Sequence, residues 1–171
     1  MSENFARAHG ADPRKARIAG MLHDLARLYP AQRLLRECEE RAMPIGEFER
    51  NNPIVLHAPL SARLAEELFD VRDAAILSAI RKHTLGDAEM SVLDCVVYLA
   101  DALEPGRDYE GRAETADLAM RDLKAGMRAT IGSSLRYLTQ RQLPLAPQTA
   151  AAMTTFARPG EQLEEPTGRH S

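Results

Sequence analysis

The chain has 171 residues, 44% of them hydrophobic but only 5% aromatic and none Trp, which fits one compact domain whose core is filled by Leu, Ala, Ile, Val and Met. Its formal net charge of −3 argues against a dedicated nucleic-acid-binding module, which would carry a strongly basic face, while a local Arg cluster or a metal would still let it hold a phosphate-bearing small molecule. No run approaches the ~20 apolar residues of a membrane span, MSENFARAHGAD lacks the layout of a signal peptide, and Cys38 and Cys95 have no CxxC spacing, so a reduced cytoplasmic protein is expected.

SENFARAH reads as the end of a helix with Phe5 and Ala6 facing the core, broken by Gly10. Asp12 followed by Pro13 is a helix start, because the carboxylate can cap free N–H groups and Pro suits the first helical position. Ile18, Leu22, Leu25 and Ala26 then recur at helical spacing until Pro30. A charged helix over 31–42 has Leu34, Leu35 and Cys38 as its apolar side, and the loop IGEFERNNP follows. From Ile54 to about Phe69 the pattern is helical with Pro59 in the first turn, which puts His57 near a helix N-terminus. Asp73 caps the next helix, with Ala75, Ile76, Ala79 and Ile80 as its buried stripe and His83 at its end. After TLGDAEM, Ser91 caps the apolar helix SVLDCVVYLADALE, stopped by Pro105. Two more helices are expected at about 111–125 and 127–141, separated by Gly126. No strand-like alternation competes, so the fold class is all-α. Residues 143–157 read as a helical extension and 158–171 as a polar, disordered tail.

The chemistry-bearing residues stand out against this apolar background. His23-Asp24 lies inside AGMLHDLARL, His57 inside IVLHAPL, His83 at the end of an apolar helix, and Asp101 inside VVYLADALEP. Burying such groups without partners costs several kcal/mol. Any one of them is readily explained as a satisfied core hydrogen bond or a solvated dipeptide. Together they are metal-ligand types in matching contexts, which favours a shared divalent metal over an ionic network such as His83 or Arg107 pairing with Asp101. Arg27, one turn after His23-Asp24, and Arg107, just beyond Pro105, offer forks that match phosphate oxygens, although a surface salt bridge explains each about as well. Arg81 and Lys82 read as solvated. Cys38, Cys95 and Ser133-Ser134 lack a nucleophile context, and the glycines form no phosphate-cradling fingerprint. Asp94, two turns before Asp101 and roughly 10 Å away by helix rise, reads as a structural group.

MLHDLAR, LHAP, AIRKHTLG and MSVLDCVVYLADALEPGR, in this order and spacing, resemble the YqeK-type HD-domain hydrolases over roughly residues 4–142. The resemblance implies an all-α HD-domain helical bundle over residues 1–142. It implies a symmetrical bis(5'-nucleosyl)-tetraphosphatase, which cleaves diadenosine tetraphosphate into two ADP at a dinuclear divalent metal centre, iron first, with manganese, nickel or magnesium as alternatives. Residue by residue, it implies His23, Asp24, His57, His83 and Asp101 as metal ligands. It places Thr84, Gly86 and Arg107 near the phosphates, and Arg27 where relatives usually carry a Lys. Asp24 and Arg27 are the catalytic candidates. The partner implied is a dinucleoside polyphosphate or another nucleotide, with no nucleic acid and no membrane, and a homodimer is left open.

The resemblance also implies a further His ligand in a helix upstream of the HD pair, which the sequence from Met1 does not supply. His9 in RAHGAD matches the end of that helix and is not read as a replacement. An N-terminally shortened domain is therefore expected, through a start placed too far downstream or an impaired metal site. The competing functional readings are a catalytically impaired nucleotide-binding HD domain and an HD phosphohydrolase acting on another nucleotide, since fold and ligands alone do not choose the substrate.

Overall fold

The computed structural model describes residues 1–107 and 109–157, and among them only helices and turns occur. In chain order they are α1 (Ser2–His9), α2 (Pro13–Leu22), α3 (Ala31–Glu40), α4 (Glu47–Asn51), a 3-10 turn (Pro53–Leu56), α5 (His57–Phe69), α6 (Ala74–Lys82), α7 (Val92–Ala102), α8 (Arg112–Arg121), α9 (Leu123–Gln140) and α10 (Pro147–Phe156). No helix among the described residues is long and apolar enough to cross a membrane.

The starts of these helices follow from local chemistry. Asp12 accepts from the Arg14 amide at 2.7 Å with Pro13 at the first helical position. Asp73 accepts from Ala75 and Ile76. Ser91 and Asp94 form a reciprocal capping box that opens α7, so Asp94 is structural, as its distance from Asp101 suggested.

The central element is α7, buried continuously from Leu93 to Leu99. A helix apolar all round must be enclosed on every side, and α1, α2, α6 and α9 pack around it. Alanines on the facing helices (Ala6, Ala16, Ala19, Ala79), each fully buried, let the backbones approach closely. A second cluster, built from Ala26, Leu34, Cys38, Leu56, Leu60 and Leu64, fills the space between α3 and α5.

Four details differ from the sequence pattern. The helix expected to run to Pro30 ends at Leu22, and 23–28 form successive turns. The Ala26 amide donates to the buried Ser61 hydroxyl at 3.0 Å rather than to Leu22, while Leu25, Arg27 and Tyr29 bond three residues back, the tighter 3-10 pattern. Ile18, expected in the core, is 39% exposed, and Ala16 and Ala19 form the buried stripe instead. The loop expected around Phe48 contains the short helix α4. The break between α8 and α9 falls at Asp122, which caps α9 through the Ala125 amide, and not at Gly126. Gly126 lies inside α9, where a Cβ would sit 2.5 Å from Ala119 Cβ; the glycine is there for a close helix crossing.

Beyond 142, α10 buries Thr149, Ala152, Met153 and Phe156, and the last three belong to the main core around α7. The tail expected over 158–171 lies outside the described residues.

Candidate metal centre

Five ligand-type side chains reach one cleft because four helix ends meet there. His23 caps the C-terminus of α2 and Asp24 opens the turns after it. His57 is the first residue of α5, His83 caps the C-terminus of α6, and Asp101 lies in the last turn of α7.

The three histidines are held in the same way. Each Nδ1 faces the carbonyl three residues earlier: His23 to Gly20 at 2.8 Å, His57 to Ile54 at 2.6 Å and His83 to Ile80 at 2.7 Å. A carbonyl accepts only from N–H, so Nδ1 carries the proton in each neutral ring and Nε2 presents a lone pair. These lone pairs converge. The Nε2 atoms of His57 and His83 are 3.2 Å apart, and Asp24 Oδ1 lies 3.4 Å from one and 3.5 Å from the other. His23 Nε2 lies 3.5 Å from Asp24 Oδ2 and 3.6 Å from Asp101 Oδ1. Two triads result, His23 with His83 and Asp101, and Asp24 with His57 and His83, each with donor atoms within 4.8 Å of one another.

Two neutral Nε2 lone pairs at 3.2 Å cannot bond to each other, and the Thr84 hydroxyl, 3.1 Å from one and 3.0 Å from the other, has a single proton to give. A cation between them resolves the conflict. Imidazole nitrogens oriented by backbone carbonyls, together with carboxylate oxygens, fit a first-row divalent ion.

The electrostatics run the same way. Burial works against the Asp24 charge, but the His57 and His83 rings beside it and the positive charge His23 can carry outweigh it, so its carboxyl is held far below the usual range. Burial likewise opposes the Asp101 charge, and His23 and Arg107 overcome it. For His23, burial disfavours the charged ring, but bonding to Asp101 and the charge of Asp24 win, and its pKa rises. The carboxylates thus stay charged and draw positive charge into the cleft. His57 and His83 are 4% and 2% exposed and close its inner wall, whereas the Asp24 side chain is 39% exposed and opens it to solvent.

Of the remaining residues singled out in the sequence, Thr84 sits on the ligand nitrogens. Arg107 Nη2 donates to Asp101 Oδ1 at 2.6 Å, so the ion pair considered as an alternative to a metal is present beside the cluster. Arg27 is exposed and, among the described residues, makes no side-chain hydrogen bond or ion pair. Its amide bonds to the Asp24 carbonyl at 3.0 Å, and in such a tight turn residues three apart share one side. Gly86 adopts φ +71°, and a Cβ there would meet Ala152 Cβ at 3.1 Å, so the backbone and the close packing both call for glycine at this position. Lys82, expected in solvent, is half-buried; its Nζ donates to the Glu89 carbonyl and lies 3.6 Å from Asp94. His9 Nε2 bonds to the Ala119 carbonyl at 2.6 Å and ties α1 to α8. Ser61, whose hydroxyl holds the turn after Asp24, was not legible as functional; a serine in an apolar helix gives no local signal of the amide it will meet. Burial pushes the thiols of Cys38 and Cys95 up to about 11 and about 12, which removes both as nucleophiles at neutral pH.

A model of the HD domain matches residues 1–106. The symmetrical bis(5'-nucleosyl)-tetraphosphatase of Bacillus subtilis (strain 168) is 35% identical over 145 residues, 85% of this chain and 77% of that protein. The protein of the same name from Halalkalibacterium halodurans is 29% identical, with 86% and 79% covered. A crystal structure from Clostridium acetobutylicum, described as a predicted HD superfamily hydrolase involved in NAD metabolism, superposes with a TM-score of 0.87 at 28% identity, covering 91% of this chain and 82% of that one. The chain belongs to the HD-domain family, in the branch that contains the symmetrical bis(5'-nucleosyl)-tetraphosphatases.

Proposed function

We propose that this chain is a metal-dependent hydrolase that cleaves diadenosine tetraphosphate symmetrically into two molecules of ADP. The observation that carries the reading is the convergence of three Nε2 atoms and two carboxylates on one cleft, with His83 common to both triads. The names of the relatives supply the substrate. His23, Asp24, His57, His83 and Asp101 would hold two divalent ions; the single Nε2 lone pair of His83 can serve only one of them. Iron is the first choice and manganese, nickel or magnesium the alternatives. When bound, such ions supply an activated water at neutral pH and neutralise charge on phosphate oxygens.

The chain's own residues divide the remaining work. Asp24, charged and open to solvent, faces the side from which a polyphosphate enters. Arg107 holds its guanidinium at the Asp101 carboxylate, within reach of an anion brought to that edge. The Thr84 hydroxyl can donate to an oxygen lying between His57 and His83. Arg27, extended into solvent, is free to take an outer phosphate. The leaving ADP needs little protonation at neutral pH, so a general acid is not required.

The test is the product pattern. Purified protein supplied with ferrous iron or manganese should release ADP alone from diadenosine tetraphosphate. Release of AMP plus ATP would overturn the symmetrical assignment, and cleavage only of other nucleotides would overturn the substrate.

A further inference from the structure

The match to the HD domain ends at residue 106, yet α10, some forty residues later in the chain, is fastened to the loop that carries a central ligand. The Thr149 hydroxyl donates to the Leu85 carbonyl at 2.9 Å, and the Thr155 hydroxyl to the Ala88 carbonyl at 2.8 Å. The helix is itself anchored at both ends: Gln148 Nε2 donates to Glu49 Oε1 at 2.8 Å, and Arg128 Nε to the Phe156 carbonyl at 3.1 Å. Between these points Gly86 lies so close to α10 that a Cβ would meet Ala152 at 3.1 Å.

Among the described residues, the segment 84–90 is tied to α6 only through Lys82, whose carbonyl takes the Gly86 amide and whose Nζ donates to the Glu89 carbonyl. The α6 helix has ended at Lys82, and Gly86 turns the chain through φ +71° with its amide bonded back to Lys82. The His83 ring is oriented from within α6 through Ile80. Thr84, whose hydroxyl stands between the Nε2 atoms of His57 and His83, has no such support from α6. Its backbone is placed from the far side, one residue on, where Leu85 meets Thr149. Thr149 is 6% exposed, so its hydroxyl bond is shielded from water, and losing it would strand a carbonyl.

We propose that α10 is a clamp on the metal loop and that Thr149 is a positioning residue, fixing Leu85 so that the Thr84 hydroxyl stays at the two ligand nitrogens. The inference rests on the metal-centre reading above and adds to it a residue from outside the matched domain. Outer hydrogen-bond partners of metal sites change metal affinity by about 10–100-fold when lost, and Thr149, a further residue removed from the ligands, belongs at the lower end of that range.

The test compares full-length Thr149→Val, which keeps shape and removes the donor, with Thr149→Ser, which restores it. Thr154→Val serves as the control, since that hydroxyl bonds to Ala150 inside α10. Calorimetric titration with Mn2+ should show about tenfold weaker binding for Thr149→Val and near wild-type binding for the other two. Hydrogen exchange of the metal-free proteins should show faster exchange over 84–90 in Thr149→Val alone. Wild-type affinity and wild-type exchange in Thr149→Val would overturn the proposal. Should that variant fail to fold, the exposed Thr155→Val takes its place, with faster exchange over 86–90 expected and unchanged exchange overturning the clamp. If the wild-type protein binds no Mn2+, the metal reading fails, and the exchange comparison still decides the clamp.

Discussion

His57 and His83 turn their Nε2 atoms toward each other at 3.2 Å while both Nδ1 atoms are committed to backbone carbonyls. The pair is stable only if a proton or a metal ion lies between them, so the folded chain keeps a site at which cation binding and stability are linked. Ligand that binds only the folded state raises the melting temperature in proportion to the logarithm of its concentration over Kd. Manganese or ferrous iron at about 100 times Kd should therefore add roughly 2.7 kcal/mol. His83→Ala, which removes a nitrogen common to both candidate triads, should cut that rise sharply and lower hydrolysis by at least about 100-fold. Asp101→Asn touches one triad only and should leave roughly half the bound metal, read by metal analysis of the purified protein. An undiminished metal content in His83→Ala would contradict its role as a ligand.

How much of this was legible in advance depends on the range of the interaction. Asp12, Asp73 and Ser91 were readable as caps because a cap involves only the next three residues. The five ligand-type residues were readable as a group because each is a polar residue in an apolar run, whose cost demands a common partner. The end of α2 at Leu22 was not readable, since it depends on Ser61 taking the Ala26 amide from 35 positions away. Nor was the burial of Lys82, which depends on Asp94 and Glu89 across a turn. The place of Gly126 was missed because glycine signals a helix break and a close crossing equally well, and only Ala119 opposite it decides.

Gly126 accordingly gives a test of packing free of the metal site. On helix propensity alone Gly126→Ala should stabilise α9 by about 1 kcal/mol. The added Cβ would lie 2.5 Å from Ala119 Cβ and 2.7 Å from its Cα, an overlap that the α8–α9 crossing must relieve by moving apart. Overpacking of this kind costs typically about 1–3 kcal/mol, so the net effect expected in a urea melt is destabilisation. A more stable variant would show that the crossing is loose.

The two thiols should be chemically silent in the folded protein. Cys38 and Cys95 are buried, and burial, the larger effect in each, raises their pKa to about 11 and about 12. At pH 8 the thiolate fraction is then about a thousandth or less. A disulfide-exchange reagent should titrate close to none in native protein and two in denaturant. Prompt labelling of the native state would place at least one thiol at the surface.

Acid stability should be sensitive to Asp73. Its carboxylate bonds to Lys15 Nζ at 2.7 Å and caps α6 through the Ile76 and Ala75 amides. The hydrogen bond to Lys15, then that to the Ile76 amide, lowers its pKa below the ordinary 3.8. A carboxylate whose folded pKa is depressed stabilises the fold fully above the unfolded value and loses that contribution as pH falls through the folded value. The wild-type protein should therefore melt higher than Asp73→Asn by a constant margin above about pH 5, and the margin should shrink as pH falls below the ordinary 3.8 and through the lower folded value. The pair is exposed, so salt should narrow the same margin at neutral pH. Melting temperatures of the two proteins measured across that range, with and without added salt, check both statements, and a margin that does not shrink with falling pH or with salt would assign the effect to side-chain shape rather than charge.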